Sequence, residues 1–195
     1  MAEQQSSMYK IILTNVVGVI ILTYPLLIYC GFRLNIIAFL LPFIVIIFLL
    51  RLFLISKHLK ILALQSMLFT LCAVLLLTLS CMLKSQELAL YYPVCTNVIL
   101  FILFFGSYFT KESFITTLAK LKDKNLSEKA INYTRKVTLL WSFFFIVNGS
   151  MALFTVLYGS LELWTLYNGL ISYILIGILF LGEFIVRIKK QSEFR

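Results

Sequence analysis

A chain of 195 residues that is 62% hydrophobic and only 13% charged, with a mean hydropathy of +1.01, lies outside the composition of water-soluble domains, where about a quarter of residues are charged. The formal net charge of +9 makes no case for nucleic acid, because the basic residues flank apolar runs, where topology and anionic lipid account for them. Four cysteines without paired spacing and a single histidine, His58, offer no metal site, and nothing in the chain calls for a cofactor.

A membrane-spanning helix takes about 20 mainly apolar residues. Six such segments are predicted, at residues 11–32, 35–55, 61–83, 90–109, 137–158 and 164–186. The expected fold is therefore all-α: a single integral membrane domain over 1–195, a bundle of six helices whose short turns leave no room for a soluble domain. The opening MAEQQSSMYK lacks the basic start and small-residue cleavage site of a removable signal, so the first span is expected to be retained. With six spans, all 17 Lys and Arg except Arg33 and Lys84 fall on one side. By the positive-inside rule both termini are then cytoplasmic.

Pro25 should bend the first span, and Pro42 should kink the second modestly. The turn Ser56–Lys60 reads as a basic topology anchor with a solvated His58. The third span looks like packing material. Tyr91, Tyr92 and Pro93 open the fourth with interfacial aromatics and a proline in the first turn, where it costs least. Asn97 follows, either bonded to a neighbouring helix or in contact with a ligand. Cys30, Cys81 and Cys95 fall near the outer face, where they are either small apolar packing residues or disulfide partners.

Between residues 111 and 136 the composition changes. Phe114, Leu118 and Leu121 recur among Lys120, Lys122 and Lys124, the pattern of a short basic amphipathic helix on the inner leaflet. Ser127 is a plausible N-cap for the helix that enters the fifth span. This connection is either a surface linker or a docking site for a cytoplasmic or membrane protein partner.

Polar side chains come into register only in the last two spans. Trp141, Asn148 and Thr155 recur every seven residues and stay on one helix face, bordered by Ser142, Gly149 and Ala152. Thr165, Asn168, Ser172 and Glu183 share a face of the sixth span. A short turn around residues 159–163 makes the two helices antiparallel neighbours whose polar faces can meet. Trp141, Asn148, Thr155, Asn168, Ser172 and Glu183 are thus the candidate polar face. Glu183 is the one carboxylate inside an apolar run, and Arg187 stands at i+4 to pair with it. Glu183 is either an interfacial anchor or a proton-relay or substrate group. No nucleophile, base and orienting group converge, so no catalytic residues are proposed and the protein is expected not to be an enzyme.

The stretches WSFFFIVNGSMALF at 141–154, LYNGL at 166–170 and GEF at 182–184 resemble the corresponding helices of the bacterial intracellular septation protein A group. They resemble more closely a related family of uncharacterised inner-membrane proteins often encoded beside fatty-acid or aryl-polyene synthesis genes. YPLLIYCGF at 24–32 extends the similarity to the amino-terminal half. The resemblance implies a multi-pass protein of the bacterial inner membrane with an envelope-related role. Its expected surroundings are the lipid bilayer, with no nucleic acid; a cytoplasmic or membrane protein partner at 111–136 and a homo-oligomer are open alternatives to a lone monomer. A small transporter or lipid-handling protein using the polar face is the alternative.

Overall fold

The computed structural model describes residues 17–54 and 60–190, and every regular element in that range is helical. The expected start of the first span at residue 11, the tail residues Lys10 and Arg195, and the basic turn carrying Lys57 and His58 lie outside the described residues.

Residues 17–22 are helical and the chain turns at Thr23. Helix α1 (Tyr24–Arg33) then starts afresh with Pro25 in its first turn. The expected disturbance at Pro25 thus takes the form of a break just before it, with the proline in the first turn of α1, where the backbone N–H it lacks costs least. Helix α2 (Ile37–Leu54) carries Pro42 in its interior, and α3 (Lys60–Met82) follows. A 3-10 turn (Gln86–Tyr91) leads into α4 (Tyr92–Tyr108), whose first turn holds Pro93 as expected. Next come the short α5 (Phe114–Ala119), the long α6 (Glu128–Tyr158) and α7 (Leu161–Leu166). A π turn (Tyr167–Ile171) joins α7 to α8 (Ser172–Lys190).

Four helical stretches among the described residues are long and apolar enough to cross a membrane: Leu62–Met82, Glu87–Tyr108, Glu128–Tyr158 and Leu161–Lys190. Ile37–Arg51 is apolar but shorter, and the break at Thr23 divides the helical part of the expected first span.

Two of the turns are closed by the same device. At the end of α1, Asn35 has φ 56° and Ile36 N–H donates to Gly31 O. At the end of α3, Lys84 has φ 51° and Ser85 N–H donates to Ser80 O. Both are Schellman ends with a left-handed residue just past the helix. Asparagine accepts that conformation readily, whereas lysine takes it at a cost of about 1–2 kcal/mol.

The α4–α6 pair forms the most extensive helix contact, with α2–α3 packed beside it. Gly149 makes the α4–α6 approach possible, because a Cβ there would lie 3.0 Å from Asn97 Cβ. One apolar core, around Tyr24, Ile28, Leu41, Phe48, Leu77 and Trp164, joins α1, α2, α3 and α7. A second gathers Phe104, Phe114 and Phe145. Helix α8 has its closest backbone neighbour in the π turn, and Ile178, Phe180, Leu181 and Ile185 on it are exposed, as suits lipid contact.

Candidate functional site

Asn148 is the hub. It is buried on α6, and its amide nitrogen donates to Asn97 Oδ1 on α4 and to Ser172 Oγ on α8, each at 3.0 Å. Its amide oxygen accepts from Tyr167 O–H in the π turn at 2.9 Å. Asn97 in turn donates to Pro93 O one turn back in its own helix. A single side chain therefore fastens three elements together where no water is on hand to substitute.

Two helical turns further along α6, Thr155 Oγ1 donates to Ala152 O and accepts from Asn168 Nδ2 at 3.2 Å. Asn168 Nδ2 also reaches Trp164 O at 2.9 Å. A side chain that competes for the carbonyl one turn behind it favours a widened backbone. The π turn is found here, with Ser172 N–H donating to Tyr167 O. Gly169 in the same turn lies against Pro25, so α1 closes on it. Trp164 Nε1 and Tyr24 O–H donate to Leu90 O and Ala89 O, and so satisfy two carbonyls of the 3-10 turn.

The structure thus joins Asn148 to Ser172 and Thr155 to Asn168, the pairing of faces that helical spacing suggests. Trp141 lies elsewhere, half-buried in an aromatic cluster with Phe104, Phe144 and Phe145. Glu183 lies apart from the seam. Its carboxylate is 3.7 Å from Arg187 Nε and 3.4 Å from Tyr133 O–H on α6. Arg135 turns away from it and donates from Nη2 to Tyr108 O and Thr110 O, capping the end of α4. Lys190 sits over the Tyr133 ring. All four cysteines are free thiols.

Tyr167 lies outside the candidate face although it contacts the hub directly. A tyrosine in an apolar helix reads as an interfacial aromatic, and the π turn that rotates it inward has no sequence signal of its own.

A second buried polar group occupies the other end of the bundle, around α5. Ser127 caps α6 as its sequence position suggests, and Ser113 caps α5. Ser113, Thr116, Thr134 and Thr138 are all buried, with hydroxyl separations of 2.7 Å (Ser113–Thr116), 2.8 Å (Thr116–Thr134) and 2.9 Å (Thr138–Ser113). Thr134 donates to Ile131 O. One proton per hydroxyl then orders the chain as Thr138 to Ser113 to Thr116 to Thr134 to the backbone. Phe114 N–H donates to Ser107 Oγ, and Phe114 stacks on Phe104 at 4.1 Å. The short helix expected on the leaflet surface is therefore pinned into the bundle on its Phe114 and Thr116 side. Leu121 and its neighbouring lysines lie past its end.

The fold and the seam define a polytopic helical membrane protein whose interior polar groups are tied to one another. No family model, curated protein or solved structure matches the chain. The residues themselves therefore carry the functional reading.

Proposed function

We propose that the protein is a non-enzymatic, six-span scaffold of the bacterial inner membrane, with both termini cytoplasmic, that supports cell-envelope or lipid-product assembly. The observation that supports this reading is the hydrogen bonding of the Asn97–Asn148–Ser172–Tyr167 seam, in which both amide hydrogens of Asn148 and the Tyr167 hydroxyl are given to protein acceptors rather than held open for a substrate. Partner contact falls to the basic connection at 111–136, where Lys111, Lys122 and Lys124 make no ion pair among the described residues.

Asn148→Ala and Glu183→Gln test it. Membrane abundance and envelope phenotype are measured together in a strain lacking the wild-type copy. A scaffold loses phenotype only in proportion to abundance. Loss of phenotype at normal abundance would instead indicate a dedicated site.

One observation favours lipid handling as the second reading. A lateral groove of about 210 Å³, lined by Val98, Phe101, Phe145 and Leu153, has Asn97 and Gly149 among its walls. An acyl chain fits such a groove, and crosslinking of a photoactivatable fatty acid to Phe101 or Leu153 would support that reading.

A further inference from the structure

The end of the bundle remote from the basic connection holds a cavity of about 290 Å³. Its walls include Phe32 from α1, Glu87 and Tyr91 from the 3-10 turn, Gly159 at the end of α6, and Trp164 from α7.

Most donors around it are already committed. Trp164 Nε1 donates to Leu90 O, and Thr155 Oγ1 donates to Ala152 O. Gly159 N–H donates to Thr155 O. Ser160 Oγ accepts from Leu163 N–H. Among the described side chains lining the cavity, the Tyr91 and Ser160 hydroxyls each keep a proton free.

The acceptors are differently placed. Among the described residues the Glu87 carboxylate has no ion-pair partner, whereas Glu112, Glu162 and Glu183 each have one. Lys84 precedes it closely in sequence but makes no ion pair with it. Arg33, next to Phe32, is held by Glu162 and by Tyr29 O–H at 3.2 Å. Those two partners, Tyr29 first, raise the pKa of its guanidinium above the ordinary value, so it stays charged and occupied. Phe32 and Gly159 mark the carboxyl-terminal ends of α1 and α6, which favour positive charge, whereas Ser160 and Leu161 on the same wall open the short α7 with the opposite polarity, so Glu87 carries the preference for a cation.

One unpaired carboxylate, three aromatic rings and two helix carboxyl ends surround a space with few free donors. Aromatic rings with an acid are the surroundings that hold an ammonium group. We propose that this cavity binds a compact ammonium group, primary or quaternary, with Glu87 as its counter-ion and Phe32, Tyr91 and Trp164 as its aromatic walls. The ammonium can arrive on a free amine or on a phospholipid headgroup, and the recognising chemistry is the same. The assignment does not depend on the scaffold reading.

The chain has two tryptophans, so Trp141→Phe leaves Trp164 as the sole indole reporter. The full-length protein in detergent is titrated with tetramethylammonium chloride and with ethanolamine hydrochloride, against sodium chloride at matched ionic strength. The expected result is a saturable change in Trp164 fluorescence with at least one ammonium salt and none with sodium. Glu87→Gln should weaken it by about tenfold or more, as loss of a charged partner does. Tyr91→Leu, which leaves the carboxylate in place, should also weaken it. An equal response to sodium, or one unchanged in both variants, overturns the assignment.

A second arm identifies the source. In phosphatidylglycerol nanodiscs, adding phosphatidylethanolamine either shifts the tetramethylammonium titration, which assigns a lipid headgroup, or leaves it unchanged, which assigns a free amine. Saturable binding that Glu87→Gln abolishes supports the site in both cases.

Discussion

Asn148→Ala is the most informative single change, because its cost follows from counted bonds. The substitution deletes two donated bonds, to Asn97 and Ser172, and one accepted from Tyr167. Hydrogen bonds between helices in a bilayer average about 0.6 kcal/mol and reach about 1.7. Three of them therefore account for about 2–3 kcal/mol. The groups left behind differ. Ser172 Oγ can turn to a carbonyl of its own helix, and Asn97 keeps its bond to Pro93 O. Tyr167 is buried and has no such alternative, so its stranded hydroxyl adds about 1 kcal/mol or more. A total loss near 3 kcal/mol is expected, read as the shift in unfolding midpoint when dodecyl sulfate is titrated into mixed micelles. A double-mutant cycle with Tyr167→Phe isolates one bond and should return a coupling of about 1 kcal/mol. A loss under about 0.5 kcal/mol with additive single variants would refute the hub, since independent sites add within that margin.

Gly149→Ala should destabilise by about 1–3 kcal/mol, because its methyl would stand 3.0 Å from Asn97 Cβ and push α4 from α6; the same titration reads it. Lys84→Gly should instead stabilise by about 1 kcal/mol, by removing a side chain from a left-handed position. Thr116→Val keeps the shape of α5 but breaks its hydroxyl chain. A loss of about 1–2 kcal/mol and faster amide exchange confined to residues 113–119 are expected. Arg33→Gln should leave the unfolding midpoint almost unchanged, because the Arg33 and Glu162 side chains are 58% and 52% exposed and solvent screens the pair.

Helical spacing identifies the Asn148–Ser172 and Thr155–Asn168 pairs because the period of an α-helix decides which residues share a face, and a short turn makes the helices neighbours. It leaves Trp141 with them because periodicity gives direction but not depth along the bundle. At its level the facing residue is Phe104, and aromatic packing takes over. The two carbonyls satisfied by Tyr24 and Trp164 belong to a 3-10 turn whose existence no periodicity announces. The hydroxyl chain around α5 is invisible for a different reason. Serines and threonines spread over residues 113–138 read as surface polarity until the fold brings them together. The helix break at Thr23 was legible only as a proline two residues later, because sequence places a Pro25 disturbance but does not say whether the chain bends or restarts.

The π turn and α8 follow α4 and α6 in the chain, and that order has a consequence for biosynthesis. Synthesis runs from the amino terminus. Asn97 and Asn148 are therefore in place while Tyr167 and Ser172 are still being made. In that interval the two asparagines can satisfy each other, but the Asn148 oxygen has no donor and its second amide hydrogen no acceptor. Both are met only when α8 docks. A chain interrupted before Tyr167 would present a half-filled amide to lipid or to any membrane protease that reads such groups. The seam thus records whether α8 has arrived.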